Sequence, residues 1–75
     1  MLRIKDLRED KDLLQKDVAN FLNISQTNYS KYELGKINIP INTLKNLALF
    51  FDTSVDYLLG LTDEQQPYPR IKSNK

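Results

Sequence analysis

Residues 15–36 read QKDVANFLNISQTNYSKYELGK, and this stretch predicts two short helices joined by a three-residue turn. Apolar side chains recur at helical spacing through residues 15–22, where Ala19 is small enough to let another helix approach closely. Asn23 interrupts this pattern and can adopt a left-handed backbone, and Ser25 can cap the helix that follows. The stretch therefore predicts a pair of short, closely packed helices with a defined turn between them.

Apolar patterning and stop signals predict three more helices around this pair. The second helix of the pair is expected at residues 26–34, ended by Gly35. A first helix is expected within residues 2–11, and a final one between Ser54, which can cap it, and Gly60. The strongest amphipathic pattern predicts a fourth helix that begins near residue 41 and buries Leu44, Leu47, Ala48 and Phe51.

The expected fold is all-α, with five short helices in one compact domain at residues 1–61. The sequence is polar from Thr62 onward, and Pro67 and Pro69 prevent a helix from continuing there. Residues 62–75 are therefore expected to form a flexible polar C-terminal tail. A length of 75 residues leaves room for one hydrophobic core and one surface site.

The composition argues against most kinds of enzyme. The chain contains no His and no Cys, so it lacks the commonest acid–base catalyst, thiol nucleophiles, disulfides and cysteine metal ligands. Its carboxylates form no pattern typical of a catalytic pair or metal cage, and the sequence predicts no cofactor and no small-molecule ligand. No apolar run approaches the roughly 18 residues that span a bilayer, so we expect a cytoplasmic protein without membrane contact.

One face of the predicted helix at residues 26–34 presents polar side chains suited to reading DNA. At about 100° per residue, an arc of roughly 140° holds Gln26, Ser30, Thr27 and Lys31. Glutamine can pair bidentately with adenine, lysine can reach guanine O6 and N7, and a threonine methyl can meet a thymine methyl. Tyr29, Tyr32 and Glu33 fall on the opposite arc, where the rings can pack on the first two helices. The polar arc therefore has the chemistry of a helix that reads a DNA groove.

Taken in order along the chain, these motifs resemble those of the Cro/C1-type (XRE-like) helix-turn-helix regulators. The resemblance is carried by Gln15 and Ala19 four residues apart, the Ser25-Gln26 opening, the Tyr32-Glu33-Leu34-Gly35-Lys36 close, Pro40-Ile41-Asn42-Thr43-Leu44, and Ser54-Val55-Asp56-Tyr57-Leu58-Leu59-Gly60. It implies a compact, lambda-repressor-like DNA-binding domain. In such domains the third helix lies in the major groove and the second crosses the DNA backbone.

The resemblance also implies a role for each matching position. The base-reading positions correspond to Gln26, Thr27 and Lys31. Phosphate or secondary DNA contacts correspond to Gln15, Asn28, Ser30, Lys36 and Asn38. Arg8 and Glu33 match a structural ion pair that ties the first helix to the third. Leu14 stands where the family usually has a capping Ser or Thr, so the cap of the second helix is either missing or supplied by Asp12.

The sequence therefore predicts a double-stranded-DNA-binding transcriptional regulator that acts as a repressor and is not an enzyme. A homodimer on a two-fold operator is expected, with a dimer contact through Tyr57, Leu58 and Leu61. The alternative is a protein-interaction module of the helix-turn-helix antitoxin or anti-repressor type. Salt dependence separates these two functions, because phosphate contacts release counterions and DNA affinity falls steeply as salt rises.

Overall fold

The computed structural model describes residues 2–69, which contain five α-helices and no strand. The helices are α1 (Ile4–Asp10), α2 (Gln15–Leu22), α3 (Gln26–Glu33), α4 (Ile41–Phe50) and α5 (Val55–Leu58). The predicted all-α fold with five short helices is therefore confirmed. The predicted limits of α2 match those observed, and α3 is one residue shorter than predicted because Leu34 forms its C-cap.

Local capping explains where α3 and α5 begin and where α2 and α3 end. The hydroxyl of Ser25 accepts a hydrogen bond from the Asn28 N–H at 3.1 Å, and Ser54 caps α5 in the same way. Asn23 ends α2 with a left-handed φ of 60°, which asparagine tolerates better than most residues. Gly35 follows α3 with a φ of 71°, where a side chain would be strained. These predicted start and stop signals are confirmed.

The N-terminus of α2 is capped by only one side chain. The Asp17 carboxylate accepts a hydrogen bond from the Leu14 N–H at 2.8 Å, which is half of a capping box. The Leu14 side chain has no acceptor to complete the box. Of the two alternatives predicted for this cap, a missing N-cap side chain is the one observed, because the N-cap Leu14 makes no side-chain hydrogen bond; Asp12 lies in the turn after α1 with a left-handed φ of 56° and does not supply the cap. Asp17 takes this role from inside the helix.

One hydrophobic core holds all five helices together. Its buried members come from every helix and from the residue after α4: Ile4, Leu7, Val18, Ala19, Tyr29, Tyr32, Leu47, Ala48, Phe51 and Leu58. The apolar face predicted for α4 therefore lies in this core, with Leu44 only partly buried at its edge. Helix α2 packs against α3, and α4 packs against α5. The core leaves the polar arc of α3 facing outward.

The segment after α5 contacts the rest of the domain at three places. Arg3 donates to the carbonyl oxygen of Thr62 at 2.9 Å and pairs with Asp63 at 2.9 Å. The hydroxyl of Thr53 donates to the Gln65 carbonyl, and the hydroxyl of Tyr68 donates to Asp56. We call residues 62–69 the C-terminal segment. The domain limit at residue 61 and the flexibility of residues 62–75 stay predictions, and residues 70–75 lie outside the described part of the chain.

Candidate nucleic-acid interface

Helix α3 separates a buried aromatic face from an exposed polar face. The Tyr29 and Tyr32 rings are buried and meet edge to face, with their centroids 6.5 Å apart. Their predicted place in the core is therefore confirmed. The outward face carries four exposed polar side chains and the half-buried Ser30; the exposed four are Gln26, Thr27, Asn28 and Lys31. Because the tyrosines fix the rotation of α3 about its axis, the polar face is presented outward in one orientation.

A buried ion pair joins α1 to α3 beneath this face. Arg8 Nε donates to Glu33 Oε2 at 2.6 Å, and Arg8 Nη2 donates to Glu33 Oε1 at 3.1 Å. A third guanidinium nitrogen donates to the carbonyl oxygen of Leu13 at 2.8 Å. The Glu33 side chain is only 3% exposed, so this bidentate pair is well shielded from water. The ion pair inferred from the resemblance is present.

The same carboxylate also holds Gln15, the first residue of α2. Gln15 Nε2 donates to Glu33 Oε1 at 3.0 Å. Burial disfavours the charged form of Glu33, but the hydrogen bonds from Arg8 and Gln15 outweigh burial and hold the pKa of this carboxyl below its usual value. The hydrogen bond to Glu33 likewise raises the pKa of Arg8. A charged Glu33 thus fixes one N–H of the Gln15 amide, and a second N–H remains for another acceptor.

The hydroxyl group of Tyr29 lies near the Arg8–Glu33 pair. Burial, together with the nearby Glu33 carboxylate, raises the pKa of the Tyr29 hydroxyl well above its ordinary value. Although Glu33 is close enough to exert this effect, Tyr29 Oη makes no hydrogen bond of ordinary geometry within residues 2–69. Tyr29 is therefore neutral throughout the working pH range and contributes its ring to the core.

An open depression brings most of the predicted site residues together. It has a volume of about 370 Å³ and is lined by Gln15, Gln26, Thr27, Ser30, Lys31, Leu34 and Lys36. The depression thus joins all three predicted base-reading residues with three of the five predicted for phosphate or secondary contacts. Asn28 and Asn38 do not line it, although both are exposed. The surface offers amide, hydroxyl and ammonium groups side by side.

Leu34 lines this depression and was missed by the sequence analysis. It lies seven residues after Thr27, so two helical turns bring it back to the same face. The helix wheel contained this signal, since Leu34 falls at about 80°, inside the polar arc.

The expected dimer contact needs a correction, because Leu58 is fully buried within its own protomer and cannot reach a partner. Leu61 is 72% exposed, and Tyr57 is partly covered by the Arg3 guanidinium 4.3 Å from its ring centre.

Within residues 2–69, no group of three or more His, Cys, Asp or Glu could hold a metal ion. None of the helices described is long and apolar enough to cross a membrane.

Comparisons with known proteins agree with this geometry. The helix-turn-helix family model matches residues 4–58. The chain is 36% identical over 73 residues to the uncharacterized HTH-type transcriptional regulator YobD of Bacillus subtilis, covering 97% of this chain and 65% of YobD. It is 33% identical over 58 residues to the cryptic phage CTXphi transcriptional repressor RstR of Vibrio cholerae, covering 77% of this chain and 52% of RstR.

A third relative is the HTH-type transcriptional activator BcrR of Enterococcus faecalis. It is 37% identical over 58 residues, which cover 77% of this chain and 28% of BcrR. The chain thus spans less than two thirds of the length of each of these three relatives. No solved structure matches it. The family match runs from α1 to the end of α5, and the chain therefore belongs to the Cro/C1-type helix-turn-helix family of transcriptional regulators.

Proposed function

We propose that the protein binds double-stranded DNA sequence-specifically and represses transcription, with α3 in the major groove and α2 across the backbone. The observation that carries this proposal is the open depression, which joins the first residue of α2 to the polar face of α3. Family membership supports it, and the relatives include proteins named as a repressor and as an activator. With double-stranded DNA as its partner, the protein is expected to be cytoplasmic and to bind without catalysing a reaction.

In this proposal, α3 reads bases through Gln26, Thr27 and Lys31. All three are exposed, so they can enter a groove without unfolding any part of the core. The Gln26 amide suits the N6 and N7 edge of adenine, and the Lys31 ammonium suits O6 and N7 of guanine. The secondary contacts expected beside them come from Asn28 and Ser30. Base preference should therefore rest on hydrogen bonding by a few uncharged groups and one cation.

Phosphate contacts in the proposal come from Gln15 and from the loop after α3. Gln15 opens α2, where backbone N–H groups and the helix dipole attract anions. Its bond to Glu33 holds the amide in place, so the second N–H can donate to a phosphate oxygen without first being ordered. Lys36, which also lines the depression, supplies a cation, and the exposed Asn38 supplies a neutral donor.

The functional unit in the proposal is a homodimer that presents two copies of α3 on a two-fold operator. Half-site centres should then lie about one DNA turn, roughly 10 base pairs, apart. Leu61 and Tyr57 remain the candidates for the dimer contact. Analytical ultracentrifugation of the wild type and of Leu61→Asp, with and without operator, tests this contact; an unchanged association constant in the variant would exclude Leu61.

The decisive experiment is selection of bound duplexes from a random library, followed by footprinting of the recovered site. We expect a symmetric site with protected half-sites, and an affinity that falls with rising salt in proportion to the phosphates neutralised. Recovery of no sequence above the starting library would reject sequence-specific DNA binding. A salt-insensitive interaction with a protein would instead favour the interaction-module alternative. A reporter gene controlled by the footprinted site then distinguishes repression from activation.

A further inference from the structure

Leu34 is the one large apolar side chain among the seven that line the depression. It is 65% exposed, although leucine is among the residue types most often found in protein interiors. Its backbone is the C-cap of α3, with helical φ and ψ of −82° and −6°. Nothing in the core therefore accounts for the leucine side chain at this position.

Single leucines on a protein surface are common and need no explanation on their own. Leu34 differs because of its neighbours. Lys31 lies one turn before it and Thr27 two turns before it, and both line the same depression. A DNA groove that extends along α3 over the whole depression covers Leu34 together with these two residues. The leucine would then lose water on binding, and this loss is favourable only where the DNA surface facing it is apolar.

We propose that Leu34 contacts the C5-methyl group of a thymine and thereby helps to select an A·T pair in each half-site. Thymine is the only unmodified base that presents a methyl group in the major groove. This inference rests on the proposed function, since it requires α3 to lie in that groove. It adds an apolar reading position to the three polar ones expected from the sequence.

The test uses the site recovered by selection and replaces its thymines one at a time by deoxyuridine, which removes only the methyl group. Dissociation constants are measured at fixed salt by fluorescence anisotropy. We expect one thymine per half-site at which the wild type loses about fourfold in affinity, equivalent to about 0.8 kcal/mol for one buried methyl. For Leu34→Ala, thymine and deoxyuridine at that position should bind equally well.

Two matched variants separate Leu34 from its neighbours. Leu34→Met keeps an apolar side chain and should retain the fourfold preference for thymine, whereas Leu34→Asn should lose it. Thr27 is the other methyl-bearing side chain on this face. Thr27→Ser removes that methyl while keeping the hydroxyl, and should leave the thymine preference at the Leu34 position unchanged. The high exposure of Leu34 means that its variants should fold like the wild type, which thermal unfolding checks.

Three outcomes would overturn the inference while leaving the proposed function in place. The first is a recovered site without a thymine in either half-site. The second is a deoxyuridine penalty of the same size in wild type and Leu34→Ala. The third is a penalty that disappears in Thr27→Ser instead. A failure to recover any preferred sequence would reject the proposed function itself, together with this inference.

Discussion

The α2–α3 pair and the α4–α5 pair are tied to α1 by contacts of opposite kinds. Beneath α3, Arg8 and Glu33 form a buried bidentate pair with side chains 11% and 3% exposed. At the other end, the side chain of Arg3, the residue before α1, pairs with a fully exposed Asp63, donates to Thr62 and lies over the Tyr57 ring. The Arg3 N–H also donates to the Leu58 carbonyl oxygen at 2.9 Å. A buried pair is costly to break, whereas an exposed pair contributes little.

This difference matches the different roles that we infer for the α2–α3 end and the α4–α5 end. The α2–α3 end carries the candidate DNA surface, and its buried polar contacts fix the positions of Gln15 and α3 relative to each other. The α4–α5 end contributes Leu47, Phe51 and Leu58 to the core and needs no comparable precision. We infer that the ion pair orients a binding surface, while apolar burial supplies most of the stability.

Breaking the buried pair should have the largest effect on folding. Glu33→Ala leaves the Arg8 guanidinium buried without its partner, and we expect a loss of about 3–5 kcal/mol in the free energy of unfolding, measured in urea. Glu33→Gln keeps the shape and one acceptor, and should lose less. If Glu33→Ala costs no more than removal of the exposed Arg3 side chain, the contrast between the two ends is wrong.

Lowering the pH should weaken the buried Arg8–Glu33 pair by protonating Glu33, and so test its contribution to stability. The pKa of Glu33 is lowered in the folded state, so its contribution to stability is complete above its unfolded pKa, about 4.3, and is lost as pH falls through the folded value. The stability gap between wild type and Glu33→Gln should therefore be widest near pH 7 and narrow below pH 4. Urea unfolding at a series of pH values measures it, and a constant gap would contradict this account.

Substitutions at the candidate DNA surface should change the free energy of binding by less than loss of the buried pair changes the free energy of unfolding. We expect Gln26→Ala or Lys31→Ala to reduce discrimination at one or two base pairs by about 1–3 kcal/mol, while stability stays within about 0.5 kcal/mol of wild type. Lys36→Ala should instead weaken binding to all sequences alike and reduce the salt slope by about one. Titrations against single-base variants of the recovered site measure base discrimination and overall affinity. If all three variants lose affinity equally across these sequences, the separate base-reading and phosphate roles are rejected.

Local signals made the α2–α3 end more predictable than the other end. Ser25, Asn23 and Gly35 act on the backbone within a few residues of themselves, so their effects can be read from short stretches. Family resemblance then indicated the partner of Arg8. By contrast, Arg3 contacts Thr62 and Asp63, which lie 59 and 60 residues away, and no periodic pattern links positions so far apart.

For two leucines, the sequence analysis did not predict the position that the structure shows. Leu58 was expected at a dimer contact, as one of the apolar residues near the end of the four-residue α5, and is instead fully buried in the core. Leu34 was given no role, although its place on the helix puts it on the exposed face among the polar side chains.

The exposed contact of the α4–α5 end should be worth about 1 kcal/mol in total. Arg3→Ala removes the stacking on Tyr57 and the hydrogen bond to Thr62, each a modest contribution at a partly exposed site. Thermal unfolding measures the loss, and amide exchange at residues 62–69 should accelerate at the same time. Arg3→Lys, which keeps the charge, should restore part of the stability. Unchanged exchange in Arg3→Ala would show that this side chain does not hold the C-terminal segment.

The smallest expected effect is a gain in stability, and it comes from completing the cap at the N-terminus of α2. Leu14→Ser supplies the acceptor that α2 lacks, and with Asp17 already bound to the Leu14 N–H it completes the capping box. We expect about 0.5–1 kcal/mol of added stability in urea unfolding. Because Leu14 is 58% exposed, little core packing is lost, and Leu14→Ala controls for that loss. Equal stabilities of the Ser and Ala variants would mean that Asp17 alone satisfies the start of α2.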